Sequence, residues 1–165
     1  MVAVIAGLCV TGLAAYMAVQ PKTPPVDNGT VSSQNKPGNV DRPVKVLTPR
    51  YEGSDLKLDE KDAKAPEGTD GMVQVINTYL DQVPAVPKDA RLKTLTMDGG
   101  TAMLSFSSSF ERTYGTDDEQ TIIKGVLSSL AQFPDVKKAK FLVEGKPMET
   151  IGNIDLTEPL DVEKS

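Results

Sequence analysis

Ser105, Ser107, Ser108 and Ser109 crowd into five residues and invite a nucleophile. A serine hydroxyl attacks only when a neighbouring base takes its proton. The chain has no histidine, so the commonest base is missing, and no Gly-x-Ser-x-Gly elbow frames any of the four. Lys124 or Lys146 is the remaining base, yet none of the four serines opens a Ser-x-x-Lys spacing. Asp117 with Glu119 could form a carboxylate pair for glycoside hydrolysis. Those residues also complete Thr116-Asp117-Asp118-Glu119, a capping box in which the Thr116 hydroxyl and the Glu119 carboxylate exchange bonds with each other's backbone N–H. The structural role accounts for both carboxylates. Gly99-Gly100 joins two strand-like runs and opens no helix, so it lacks the donors of a phosphate cradle. The acidic stretch Tyr51 to Lys64 has neither the glycine nor the terminal glutamate of a calcium loop. Catalytic, cofactor-binding and metal-binding residues are therefore expected to be none, and no enzymatic activity is expected.

Composition narrows the partners. The net charge is −5, opposite in sign to a surface that tracks phosphates, and the basic cluster Lys137-Lys138-Lys140 reads as a solvated turn. Nucleic acid is excluded on that ground. Aromatic residues make up 5% with no tryptophan, too few for stacking platforms. Cys9 is the single cysteine, so no internal disulfide forms. At 165 residues the chain holds one domain plus attachments.

The elements that must position these residues run from Arg91 to Gly145. Leu95 and Met97 alternate before Asp98-Gly99-Gly100, and Ala102, Leu104 and Phe106 alternate after it, which predicts a hairpin with a type I′ turn. Ile122, Ile123, Val126, Leu127, Leu130 and Phe133 form a helical stripe that Pro134 ends. Ala139 to Val143 follows as a strand. Upstream, Val44 to Leu47 is a first strand ended by Thr48-Pro49. Tyr51 to Lys64, with Leu56 and Leu58 alternating, is a short edge strand guarded by lysines. Thr69 or Asp70 caps a helix whose apolar face is Met72, Ile76, Tyr79, Leu80 and Val83, a core face rather than a ligand groove. Met148 to Ile154 forms a weak extra strand or turn, and Asp155 to Ser165 is an acidic segment expected to fray at its end.

This order predicts an α+β fold: a two-layer sandwich of a small antiparallel or mixed sheet with two helices on one face, in β-α-β-β-α-β order. Its Asp-Gly-Gly-Thr-Ala turn, the Ser-Phe-Ser-Ser-Ser-Phe run, the helix ending at Leu130-Ala-Gln-Phe133-Pro134 and the Phe141-Leu-Val-Glu-Gly145 strand together resemble the GerMN domain. That is a sporulation and spore-germination module of bacterial envelope proteins, and the resemblance covers residues 44–160. It implies a domain outside the cytoplasm and carries no catalytic residues to transfer.

Residues 1–20 are apolar and uncharged, long enough as a helix to reach across a hydrocarbon core of about 30 Å. Three readings compete: an uncleaved anchor, a cleaved signal peptide and a lipoprotein signal. Leu8 stands before Cys9 where a lipobox needs a small residue, and Tyr16 spoils the peptidase site ending at Ala18, so the anchor leads. Residues 21–43 hold five prolines and almost nothing apolar, the composition of a flexible linker. The domain then fills 44–160, with an acidic tail over 161–165. The expectation is a membrane-tethered, extracytoplasmic protein-binding or scaffolding module whose partners are envelope proteins. The alternative is a receptor for a small ligand or cell-wall fragment held between sheet and helices.

Overall fold

The computed structural model describes residues 40–164. The expected anchor, and the expected linker as far as residue 39, lie outside the described residues. The chain opens with a ribbon of two antiparallel strands, β1 (Asp41–Glu52) and β2 (Asp55–Pro66), that pair only with each other. β1 is longer than its sequence suggested, beginning inside the expected linker and passing through both Pro43 and Pro49. Parity explains the tolerance. Lys45 directs its N–H away from β2, to the Gln132 side chain, and the two prolines share its parity. Their missing N–H groups fall on the outer edge, so no ladder bond is lost. β2 likewise runs the full ribbon, with Lys57, Lys61 and Lys64 along it.

Helix α1 (Thr69–Leu80) follows, capped by Gly68 and not by the Thr69 or Asp70 side chain. Met72, Val75, Ile76, Tyr79 and Leu80 are buried, so its apolar face is the core face, while Val83, expected on that face, is buried just beyond the helix end at Leu80. Next come β3 (Leu92–Asp98) and β4 (Thr101–Phe106), antiparallel and joined by Gly99 and Gly100 at φ +53° and +89°. Two consecutive positive φ values are the type I′ turn that the sequence predicts. A short 3-10 turn over Ser108–Phe110 leads to α2 (Thr116–Ala131). α2 returns the chain to β5 (Lys138–Val143), parallel to β4.

Leu95, Leu104, Phe106, Ala139 and Phe141 are all buried, and α1 and α2 cover them. The fold is the expected α+β arrangement, with β3-β4-β5 at its centre. Phe106 lies between Phe110 and Phe141, with ring centroids 4.0 and 5.8 Å away. β1 sits in the separate ribbon and not in this sheet.

A further expectation is overturned at the second helix. The capping box does not form: the N-cap of α2 is Gly115, whose carbonyl accepts the Glu119 N–H at 2.9 Å, and no side chain caps the helix. The Glu119 carboxylate is instead buried and accepts from the Asn153 N–H at 3.0 Å. That N–H belongs to the turn between β7 (Thr150–Ile151) and β8 (Ile154–Asp155). The turn's Gly152, at φ +55°, lies so close that a Cβ would overlap the carboxylate. The Asn153 backbone N–H is fixed by the turn geometry and meets the carboxylate where Glu119 is buried, whereas the helix start offers only a solvated N–H.

The acidic segment, expected to fray at its end, is built into the fold as far as Val162. Leu156 and Val162 are buried, and β9 (Leu160–Asp161) pairs with the outer edge of β5. β6 (Lys146–Pro147) pairs farther along the same edge, and the Met148 N–H reaches the Phe141 carbonyl between them at 3.0 Å. The apolar residues among the acids thus close an edge that would otherwise stay bare.

α1 and α2 meet where Tyr79 lies flat against Gly125, whose added Cβ would overlap the phenol ring. The Tyr79 hydroxyl donates to the Thr121 carbonyl at 2.7 Å. Gly125→Ala should cost about 1–3 kcal/mol by overpacking. Tyr79→Phe should cost about 1 kcal/mol, the worth of one hydrogen bond. Urea unfolding of the two variants checks both values, and the double variant should be less than additive because the residues touch.

Candidate functional site

A cleft of about 850 Å³ opens between the ribbon tip, the outward stripe of α2 and the C-terminal segment. α2 supplies Asp117, Gln120, Thr121, Lys124, Leu127 and Ser128, a set spaced by three and four residues beside the core stripe. Leu56, Ile123, Leu127 and Ile154 give the cleft an apolar floor, while Lys57, Lys124, Asp55 and Glu163 stand among its lining. Among the described residues neither Lys57 nor Lys124 has an ion-pair partner.

Two docking points hold the ribbon over α2. The Gln132 side-chain amide accepts from the Lys45 N–H at 2.7 Å and donates to the Lys45 carbonyl at 2.9 Å. It makes both bonds that a neighbouring strand would make. Near the other end, the Tyr51 hydroxyl is hydrogen-bonded to the Thr121 hydroxyl and lies 3.4 Å from the Asp117 carbonyl. β1 spans six residues between these points, about 20 Å at strand rise, against about 17 Å for Thr121 to Gln132 at helix rise. The two lengths match closely enough for the ribbon to lie along the helix and wall the cleft.

The chemistry weighed from the sequence is used elsewhere. Ser107 Oγ accepts the Arg91 N–H at 3.0 Å and donates to the Asp89 carbonyl at 2.8 Å. Ser109 Oγ donates to Asp89 at 2.5 Å, and Ser105 Oγ accepts the Gly145 N–H at 2.9 Å. The Ser108 N–H donates to Glu144 at 2.9 Å. These serines pin loops, and no hydrogen bond joins any of their hydroxyls to a lysine among the described residues. Asp117 lines the cleft while Glu119 is buried against the Asn153 turn, so the two carboxylates are not brought together. Lys138 pairs with Asp161 at 2.6 Å, and Lys140 donates to the Leu156 carbonyl at 3.1 Å, which dissolves the basic cluster. Met72 and Tyr79 are core. Cys9 lies outside the described residues.

The sequence signals for the cleft were weak. Ser54 and Lys57 line it at Ser-x-x-Lys spacing, which juxtaposes the pair on a helix. Here Ser54 is in the ribbon turn and Lys57 on β2, and no bond joins them. Leu127 did fall in the predicted helical stripe, but nothing in the sequence showed that the ribbon would lie beside it. Among the described residues no cluster of acidic, cysteine or histidine side chains could hold a metal ion. No helix among them is long and apolar enough to cross a membrane. The space between sheet and helices, where a ligand site was considered, is filled by Phe106, Phe141, Ile122 and Leu130.

This architecture is that of a GerMN-type domain. The family described as sporulation and spore germination (Germane) matches residues 44–149, and the chain belongs to it. The structure of the first GerMN domain of the sporulation protein GerM from Bacillus subtilis is 20% identical, with a TM-score of 0.56; the match covers 73% of this chain and 97% of that one. The tandem GerMN domains of the same protein give 19% identity and a TM-score of 0.58 over 74% of this chain. The chain spans 46% of that tandem structure. No curated protein matches the chain significantly. The family description names a process and not a reaction.

Gln132→Ala should loosen the ribbon, speeding hydrogen exchange of the Lys45 amide at least tenfold and lowering stability by about 1–2 kcal/mol. Unchanged protection at Lys45 would show that the ribbon is held by other contacts.

A second prediction concerns pH. The Glu144 carboxyl is held below its ordinary value by the Lys93 ammonium, 2.8 Å away, and next by the Ser108 N–H. A folded value below the unfolded one means that this stabilisation is present above the unfolded value and is lost as pH falls through the folded one. Glu144→Gln should therefore flatten the fall in stability below about pH 4.5, where an unperturbed glutamate titrates, as read by thermal melts across acid pH.

Proposed function

We propose that the chain is a membrane-tethered, protein-binding module on the extracytoplasmic side of a bacterial envelope, serving assembly or scaffolding of envelope proteins. Membership of a sporulation and germination family supports the setting. The apolar residues 1–20 and the proline-rich linker after them support tethering. The observation that carries the binding role is the cleft: an apolar floor, two cations without ion-pair partners among the described residues, and acidic neighbours, walled by a ribbon with its own docking points. Such a surface suits an amphipathic protein segment, because burial supplies affinity and the mixed charges supply register.

A small ligand or cell-wall fragment is the second reading, since 850 Å³ lies within the size of ligand pockets. Tyr51 is the only aromatic residue in the lining, a poor platform for sugar rings, so the protein reading leads.

The test is a crosslinking pull-down from native membranes with the tagged full-length chain. The expected result is one envelope protein, recovered reproducibly and reduced at least fivefold by Leu127→Asp or by Lys57→Glu with Lys124→Glu. Recovery that is indifferent to these substitutions would move binding off the cleft. If no protein is recovered while cell-wall fragments raise the melting temperature of the wild type alone, the ligand reading takes its place.

A further inference from the structure

The domain treats the strand edges of β2, β5 and β3 differently. β2 carries Lys57, Lys61 and Lys64 among its acids, a charged edge that discourages pairing. The outer edge of β5 is covered by β6, by β9 and by the Met148 N–H between them. β3 is less protected. Its charges, Lys93 and Asp98, stand near its ends, its central residues Thr94-Leu95-Thr96-Met97 are uncharged, and among the described residues its one neighbouring strand is β4.

Backbone parity identifies what this edge offers. Asp98 and Thr101 close the two-residue hairpin, so they exchange bonds, as do Thr96 and Met103 two residues further on. Leu95 and Met97 then direct their N–H and C=O groups away from β4. Among the described residues no hydrogen bond is made to them across that edge. A bulge between Leu92 and Thr94 shifts the parity, so Leu92 also points outward. Leu92 does have a partner. Asn77, in the last turn of α1, accepts its N–H at 2.9 Å and donates to its carbonyl at 2.9 Å. One side-chain amide makes both bonds that a peptide group of a further strand would make there. Beyond it, a groove of about 320 Å³ separates the first turns of α1 from β3, lined by Thr69, Asp70 and Val73 facing Lys93 to Thr96.

The geometry points to a strand-accepting edge: an extended segment of a partner protein lies in the groove between α1 and β3, pairs its backbone with Leu95 and Met97, and continues the line that Asn77 begins. The inference rests on the protein-binding reading but places contact on a surface other than the cleft. α1 runs beside the edge, so the occupant is a single extended segment; the β3 edge of a second copy would bring its own α1 against this one. Asp70 is exposed, lines the groove and has no ion pair among the described residues, so the segment carries a basic side chain opposite it. Val73 offers an apolar seat for a residue two positions along the segment.

The experiment selects random seven-residue peptides by display on the immobilised full-length chain, then maps the winners by amide hydrogen exchange. Selected peptides should alternate β-branched or apolar residues with polar ones and include Arg or Lys. Exchange of the Leu95 and Met97 amides should slow at least tenfold on binding, while the Thr96 amide, already paired with β4, changes little. N-methylation of alternate peptide amides should abolish binding in one phase and spare it in the other, a readout that leaves the protein untouched. Met97→Pro removes one outward N–H and should reduce affinity at least tenfold with its melt still cooperative, whereas Lys124→Glu in the cleft should not. The inference is overturned if no peptide is selected, if both N-methyl phases bind alike, or if protection maps to the cleft. It also fails if the chain alone self-associates and Met97→Pro returns it to a monomer. An envelope protein still captured in the face of these failures, and lost with the cleft substitutions, would leave the binding reading standing; loss of both would remove the two together.

Discussion

Gly125 admits the Tyr79 ring, and the rest of the domain is arranged around that close approach. The phenol is fully buried, and burial pushes its ionisation well above the usual range, so it stays a donor at any physiological pH. Its proton goes to the Thr121 carbonyl, and the Thr121 hydroxyl in turn meets Tyr51 from the ribbon. α1, α2 and the ribbon are thereby linked through one residue of α2. The core side of that turn is fixed by packing, so the cleft side, where Thr121 and Lys124 sit, is fixed too. The position of a surface site is decided by a contact in the interior.

A second device recurs at the far ends of the helices. Asn77 in the last turn of α1 and Gln132 at the C-cap of α2 each bind both backbone groups of one strand residue. A carboxamide carries a donor and an acceptor at the spacing of a peptide group, so it can stand in for one residue of a strand. Each amide ties a helix to a strand edge without committing the whole edge. The ribbon is held along α2 while its outer side stays largely free, and β3 is anchored at Leu92 while Leu95 and Met97 remain unpaired.

Much of the central fold was legible because local and global signals agreed. Asp98-Gly99-Gly100 demanded a positive-φ hairpin, and the stripes of α1 and α2 matched the period of a helix. What escaped depended on contacts distant in sequence. Thr116 to Glu119 satisfies the capping pattern, but the Asn153 turn, 34 residues away, outbid the local partner for the carboxylate. Pro43 and Pro49 signalled strand ends, because the outward parity that makes them harmless exists only once β1 has paired with β2. The tail looked solvated because its acids outnumber Leu156, Leu160 and Val162, yet these few apolar residues meet an edge waiting to be covered. The cleft was the least legible feature: its walls come from three separated segments, and no local pattern records that the ribbon turns back along α2.

The polar groups divide along the same line. Those that looked reactive, Ser105, Ser107, Ser109 and Glu119, hold loops and turns together, and each would lose a structural bond if asked to turn over a substrate. Those without such partners among the described residues, Lys57, Lys124 and Asp70, lie on an open cleft and an open edge. In the cleft the lysines stand among Asp55, Asp117, Asp161 and Glu163 beside an apolar floor, and at the β3 edge Asp70 stands beside outward-facing backbone. On the proposed binding role, such groups would set register and sign for a partner that supplies its own apolar face or its own strand. The walls of the cleft are held in place from the interior: the Tyr79–Gly125 contact sets α1 against α2, and Thr121 and Gln132 then hold the ribbon along α2.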